Sequence, residues 1–224
     1  MEPDPSAALS PSEFIDSDAV PIRAFAARLV GGASSSPVER ARLIYYGVRD
    51  EIRYDPYRDF ADPETYRASA CLAAGSGYCV GKAALFAAAC RAVGIPARIG
   101  FADVRNHLAT PRLLALMGSD VFVWHGYASL YLEGRWVKAT PTFNIALCER
   151  FGVKPLEFDG TEDALLHPFD QEGRRHMEYV RDHGTFPDVP VPRLIAAMRA
   201  AYPRLFAARK GGDFAAEAAD EARR

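Results

Sequence analysis

The segment that most constrains the fold spans residues 75–96. It opens Gly75-Ser76-Gly77-Tyr78-Cys79-Val80-Gly81-Lys82, continues through an alanine-rich apolar run to Val93, and meets Gly94 and Pro96. Glycines allow a tight backbone entry, and a Gly with a Pro soon after it ends a helix. The run predicts a helix over 79–93 with Leu85, Ala89 and Val93 on one face, apolar enough to be buried.

The flanking segments supply what would cover it. A first amphipathic helix is predicted over 20–29, broken by Gly31-Gly32. A second starts at Ser36 and Pro37 with Glu39 three residues after the cap, and carries the stripe Ile44, Val48, Ile52. It ends at Tyr54-Asp55-Pro56-Tyr57, because the residue before proline disfavours helix. Residues 59–69 read as a loop with a short helix, and 97–104 as a strand. Residues 121–132 and 135–139 read as a hairpin turning at Glu133-Gly134. A short helix over 145–150 and a C-terminal helix over 193–209 complete the pattern. Helices precede antiparallel strands, which indicates an α+β domain. The expected organisation is a flexible N-terminal arm over 1–18, one domain over 19–209, and a charged tail over 210–224.

Composition excludes several classes. The chain has 224 residues, with 49% hydrophobic and 25% charged, as an ordinary globular protein has. The net charge is −2 without a basic block, so no nucleic-acid partner is expected. The longest apolar stretch, 83–90, is far below the roughly 20 residues of a membrane helix. The N-terminus, Met1-Glu2-Pro3-Asp4-Pro5, is acidic where a secretory signal would be basic, so a cytoplasmic location is expected. Cys71, Cys79, Cys90 and Cys148 form no CxxC pair, which fits free thiols and argues against structural zinc.

Cys79 is the sharpest candidate. At the first turn of a helix, unpaired N–H groups and the helix dipole favour a thiolate, and the same N–H groups can hold an oxyanion. The plainer reading, a small buried thiol, suits Cys71, Cys90 and Cys148 better. A candidate base is His125, in Phe122-Val123-Trp124-His125-Gly126-Tyr127. A thiolate–imidazolium pair would stabilise both charges and supply a general acid. A satisfied core histidine is the alternative.

These pieces resemble a known family. The Gly-Tyr-Cys-Val-Gly-Lys helix start, the Ala-Val-Gly-Ile-Pro-Ala-Arg segment, the Trp-His-Gly-Tyr strand and the Arg-Trp-Val-Lys-Ala-Thr-Pro-Thr return occur in order over 41–144. They are similar to the microbial transglutaminase-like superfamily, and 155–182 resembles a cytoplasmic branch of it. The resemblance implies a papain-like core, with a nucleophile helix packed on an antiparallel sheet that carries the histidine. It implies thiol acyl transfer without metal or organic cofactor, with Cys79 and His125 matching nucleophile and base. The family usually places Asp before Pro-Thr, whereas this chain has Thr140 before Pro141-Thr142. A hydroxyl can orient an imidazole but cannot balance imidazolium. Asp159 and Asp103 are the substitutes, and Glu133 lies in a turn.

In Asp103-Val104-Arg105-Asn106-His107, Arg105 with Asn106 is placed as a carboxylate-binding pair. Tyr78 and Trp124 are the other substrate-binding candidates. His167-Pro168 and His183-Gly184 read as turn residues without a role, and 54–57 as a turn that may equally line a pocket. Two functions stand. One is a cysteine acyl-transfer enzyme acting on a peptide, protein or small amide, hydrolysis being favoured over transamidation. The other is a non-catalytic module that binds a peptide or small carboxylate. A homodimer stays open.

Overall fold

The computed structural model describes residues 4–31, 36–106, 109–165, 177–207 and 214–221. In chain order the elements are α1 (Val20–Val30), α2 (Pro37–Glu51), β1 (Arg53–Tyr54), α3 (Ala68–Ala74), β2 (Ser76–Gly77), α4 (Cys79–Ala92), β3 (Ala97–Asn106), α5 (Pro111–Met117), β4 (Val121–Leu132), β5 (Arg135–Ala139), α6 (Ile145–Phe151), β6 (Met177–Phe186), α7 (Val191–Ala201), α8 (Pro203–Ala207) and α9 (Phe214–Glu221). β5, β4, β3 and β6 lie side by side in one antiparallel sheet. The pair β1 and β2 is parallel and delivers the chain into α4. The architecture is α+β.

α4 is the centre. Every residue from Cys79 to Arg91 is buried. Its alanines keep the surface shallow, so α1, α2 and α3 pack on it while β4 and β3 close the remaining side. Leu85 and Phe86 are fully enclosed, each worth about 1.5–3 kcal/mol of burial. One charged residue sits among them. Lys82 Nζ donates to the carbonyls of Arg49, at 3.0 Å, and Ile52, at 2.5 Å. It thereby satisfies acceptors at the end of α2, which that helix cannot satisfy itself. Burial pulls its ammonium down to about 7.

Two terminal expectations fail. The segment 4–18 is not a flexible arm, because Phe14 and Ile15 are buried and their amides donate to the Asp188 carboxylate. Arg91 also donates to the carbonyls of Ser10, at 2.7 Å, and Pro187, at 2.6 Å. The segment after 210 is not merely a charged tail. Phe214 packs against Tyr54 and Phe151, and Glu217 accepts from the Tyr57 hydroxyl and from Arg112. In each case a few apolar side chains outweigh a polar local composition.

The predicted helix over 193–209 is two helices. Pro203 cannot continue an i to i−4 ladder, and the break leaves Tyr202 free to reach the sheet. Its hydroxyl accepts from Val123 N, at 2.5 Å, and donates to Val121 O, at 2.7 Å. Most of α3, α5 and β6 lies in stretches for which the sequence pattern predicts no element, and His183-Gly184, read as a turn, lies within β6. Among the described residues no helix is long and apolar enough to cross a membrane.

Candidate active site

The site is assembled where β4 lies flat on the first turn of α4. Gly126 makes that approach possible. A Cβ there would come within 2.8 Å of Val80 Cα and 3.2 Å of Val80 N, backbone atoms that cannot swing aside. The contact brings the Gly126 amide to the Cys79 sulfur, which also receives the amides of Val80 and of Cys79 itself. Cys79 and His125 line one cavity.

Next to Gly126 the strand is bulged. Ala102 opposes His125 and Val104 opposes Phe122, so Val123 and Trp124 share the single partner Asp103. Trp124 has φ 57°, a left-handed conformation that disfavours a bulky side chain. Asp103 holds it, because Oδ1 accepts from Trp124 N at 2.9 Å. The other neighbour of β3 is bulged too: Phe101 opposes Gly184 and Ala102 opposes Asp182, leaving His183 as an extra residue. His183 Nε2 lies 2.7 Å from the same Oδ1, and its ring stacks on Trp124 with centroids 4.5 Å apart. The Arg193 guanidinium covers the indole at 5.2 Å. One carboxylate thus staples two bulges across β3, one of which directly precedes His125.

The cavity is mostly apolar, about 40 Å³ in volume, and partly open to solvent. Tyr54, Tyr78 and Trp124 line it with aromatic rings, and Leu113, Met117 and Met198 with flexible apolar side chains. Cys79 is 8% exposed and His125 7%. This reverses the expected electrostatics. Burial pushes the Cys79 thiol up to about 12 although the three amides pull it down, and burial alone pulls His125 down to about 4. Both directions favour a neutral pair over a thiolate with an imidazolium, because aromatic neighbours solvate neither charge.

Behind the imidazole is a second space, about 10 Å³, bordered by Thr140, Thr142, Phe143 and Met177. Thr140 and Thr142 are each 5% exposed, and neither hydroxyl has a hydrogen-bond partner among the described residues. Thr140 therefore reaches the expected third position without bonding the ring. No carboxylate among the described residues contributes to the shift of His125.

The other candidates are placed as follows. Asp159 is exposed and caps its own turn, accepting from Thr161 N at 2.7 Å and Thr161 Oγ1 at 2.8 Å, and those bonds hold its carboxyl below the usual range. It borders a separate hollow beside Tyr46 and Glu157. Asp103 serves His183 and Trp124. Arg105 is matched by Asp120, at 3.1 Å, and Glu178, at 2.9 Å, and neither it nor Asn106 lines the cavity. Both lie at the far end of β3, beyond the bulge. His107 and His167 lie outside the described residues. Tyr78 and Trp124 do line the cavity, as do Tyr54 and Pro56 of the predicted turn. The Tyr78 hydroxyl is buried beside Tyr66 without closing a hydrogen bond of normal geometry, while Tyr66 donates to Phe60 O at 2.7 Å.

Sequence reasoning missed His183, which reads as a turn but is a strand residue tied to Asp103. It also missed the cavity lining from α5. Thr110, whose hydroxyl accepts from Leu113 N at 3.3 Å, then Pro111 and the terminal Gly118, were the signals that mark that helix. Among the described residues no cluster of ligating side chains could hold a metal ion.

The family model of the transglutaminase-like superfamily matches residues 23–141, a span that contains Cys79, His125 and Thr140. Among solved structures the chain is similar to a candidate cysteine protease from Cytophaga hutchinsonii, with a TM-score of 0.50 and 20% identity over 90% of this chain. The match covers 50% of that protein, so this chain spans about half its length. At that identity the likeness is one of fold. No curated protein matches the chain in sequence.

Proposed function

Since the chain belongs to the transglutaminase-like superfamily, we propose that it is a cysteine-dependent acyl-transfer enzyme with Cys79 as nucleophile and His125 as base. The observation that carries this reading is the shared cavity of the two side chains, closed by the Gly126 amide on the sulfur.

The neutral resting pair sets the order of events. A substrate carbonyl enters beside Sγ. The S–C bond forms as His125 takes the thiol proton, so charge appears only when the carbonyl oxygen becomes an oxyanion. Backbone amides at the start of α4 are the available donors for that oxygen. Collapse breaks the bond to the amine or alcohol, which leaves with the proton from His125. The acyl group remains on sulfur as a thioester. Water, deprotonated by His125, then attacks, the S–C bond breaks, and the proton returns to sulfur. Hydrolysis is the favoured outcome, because among the described residues the apolar cavity offers no charged group to select an amine acceptor. The free thiols fit a reducing cytoplasm.

The test is alkylation by iodoacetamide followed by intact-mass and peptide mapping, with Cys79→Ala beside it. Cys79 is expected to label faster than Cys71, Cys90 and Cys148, and the alanine variant to lose acyl-enzyme formation. Equal labelling of the four thiols, or turnover by Cys79→Ala, would overturn the reading. A second reading, a binding module on the same fold, draws support from the lack, among the described residues, of a carboxylate acting on His125. It predicts a tight ligand with no covalent adduct.

A further inference from the structure

The chemistry of the cavity walls says which substrates a thioester here can carry. Part of the lining comes from four separate elements: Leu113 and Met117 on α5, Phe122 on β4, Met198 on α7 and Leu205 on α8. None is charged, and Tyr54, Tyr78 and Trp124 add aromatic rings. Among the described residues no Asp, Glu, Lys or Arg lines the space. The polar groups in it are Cys79, His125 and three tyrosines, and burial raises all three phenols above their ordinary value, so they stay neutral.

We infer that the cavity is the acyl pocket of this enzyme and that it takes short, uncharged aliphatic acyl groups. The inference rests on the cysteine acyl-transfer reading and deepens it. The acyl part is the half of the substrate that stays bonded to sulfur after the leaving group has gone. It is therefore the half that the space beside Sγ is placed to hold. A volume of about 40 Å³ suits a chain of a few carbons. Two of the wall residues are methionines, which yield to small changes of shape. A carboxylate on the same chain would be buried against apolar walls without a counter-ion, which is strongly unfavourable.

The experiment uses the full chain and p-nitrophenyl esters of acetate, propionate, butyrate and octanoate, with the hemisuccinate as the charged counterpart of butyrate. In each case the S–C bond forms, the ester C–O bond breaks, and p-nitrophenolate leaves. Release of the phenolate and the acyl adduct on Cys79 are both followed. The acylation rate constant per concentration is expected to rise about fourfold for each methylene from acetate to butyrate, and to fall for octanoate, which overfills the space. The hemisuccinate is expected at least about 100-fold below butyrate. Leu205→Ala, at a partly exposed wall position, is expected to move the optimum to longer chains.

The failures are distinguishable. No adduct at Cys79 from any ester or from iodoacetamide overturns the acyl-transfer reading and the inference with it. Adducts that form equally from butyrate and hemisuccinate, or without dependence on chain length, leave the reading intact and overturn the inference. An unchanged optimum in Leu205→Ala, with the variant folded by circular dichroism, also counts against the assigned pocket.

Discussion

Two imidazoles stand on strands that flank β3, and they differ in instructive ways. His183 on β6 has a carboxylate at 2.7 Å and an indole stacked on its face, but it does not line the cavity of Cys79. His125 on β4 lines that cavity, is 7% exposed, and has no carboxylate acting on it among the described residues. The histidine with the conventional acid partner is thus a structural post. The histidine without one lines the same cavity as the sulfur. An Asp–His pair is by itself a way to satisfy two buried polar groups, and only the position of the ring relative to a reacting atom makes an imidazole a base.

The sharpest way to break this comparison is to remove each ring in turn. His125→Asn is expected to slow acylation of Cys79 by about 10²–10⁴-fold, and His183→Asn by less than about tenfold. Stopped-flow acylation with intact-mass detection measures both, and a larger loss in His183→Asn would reverse the assignment.

Acid stability separates the two rings thermodynamically. The folded His125 has a value of about 4 against 6.5 ordinarily. Between those values the unfolded chain binds a proton that the folded chain refuses. The stabilisation is therefore complete above about 6.5 and is lost as pH falls through that window to about 4. The loss amounts to about 3 kcal/mol. Urea unfolding across that range is expected to show the slope in the parent protein and a clearly smaller one in His125→Gln.

Asp103 connects the two regions. Asp103→Ala leaves Trp124 N and His183 without their acceptor and is expected to cost about 2 kcal/mol. Asp103→Asn keeps an oxygen for Trp124 N and is expected to restore much of that stability and most of the acylation rate. If the asparagine variant loses acylation as fully as the alanine variant while keeping stability, the carboxylate acts on catalysis and does not merely position the strand.

The smallest effect is expected at the position where the family carries an acid. Thr140→Val exchanges a hydroxyl that bonds nothing described for a methyl of the same shape. It is expected to change stability by less than about 0.5 kcal/mol and acylation by less than about twofold. A tenfold loss would show that the hydroxyl orients His125 after all.

Legibility in the sequence follows how local each cause is. The strands Val121–Leu132 and Arg135–Ala139 and the start of α4 at Cys79 coincide with their predicted bounds, because strand-forming residues, a two-residue turn and a glycine approach act within a few residues. The strand β6 did not stand out. It is an edge strand, most of its side chains are exposed, and its sequence Met-Glu-Tyr-Val-Arg-Asp-His-Gly-Thr-Phe lacks a buried alternating face. Asp103 was identified as an acid of interest, yet its partner could not be, since the two bulges it joins exist only after three strands pair. The environment of Cys79 was half legible for a related reason. A helix start favours thiolate locally, whereas the burial that pushes the thiol up comes from residues remote in sequence.

What the chain carries in its own order is the cysteine at the head of an all-buried helix, the histidine on the hairpin strand, and the α+β plan that joins them, because propensity, turn chemistry and apolar runs are properties of neighbouring residues. Folding alone decided that a glycine would let strand and helix touch, that Asp103 would serve His183 and not His125, and that uncharged side chains from α5, α7 and α8 would line the space beside the sulfur. Those outcomes depend on contacts between residues remote in sequence, where packing and desolvation act and where no local pattern records them.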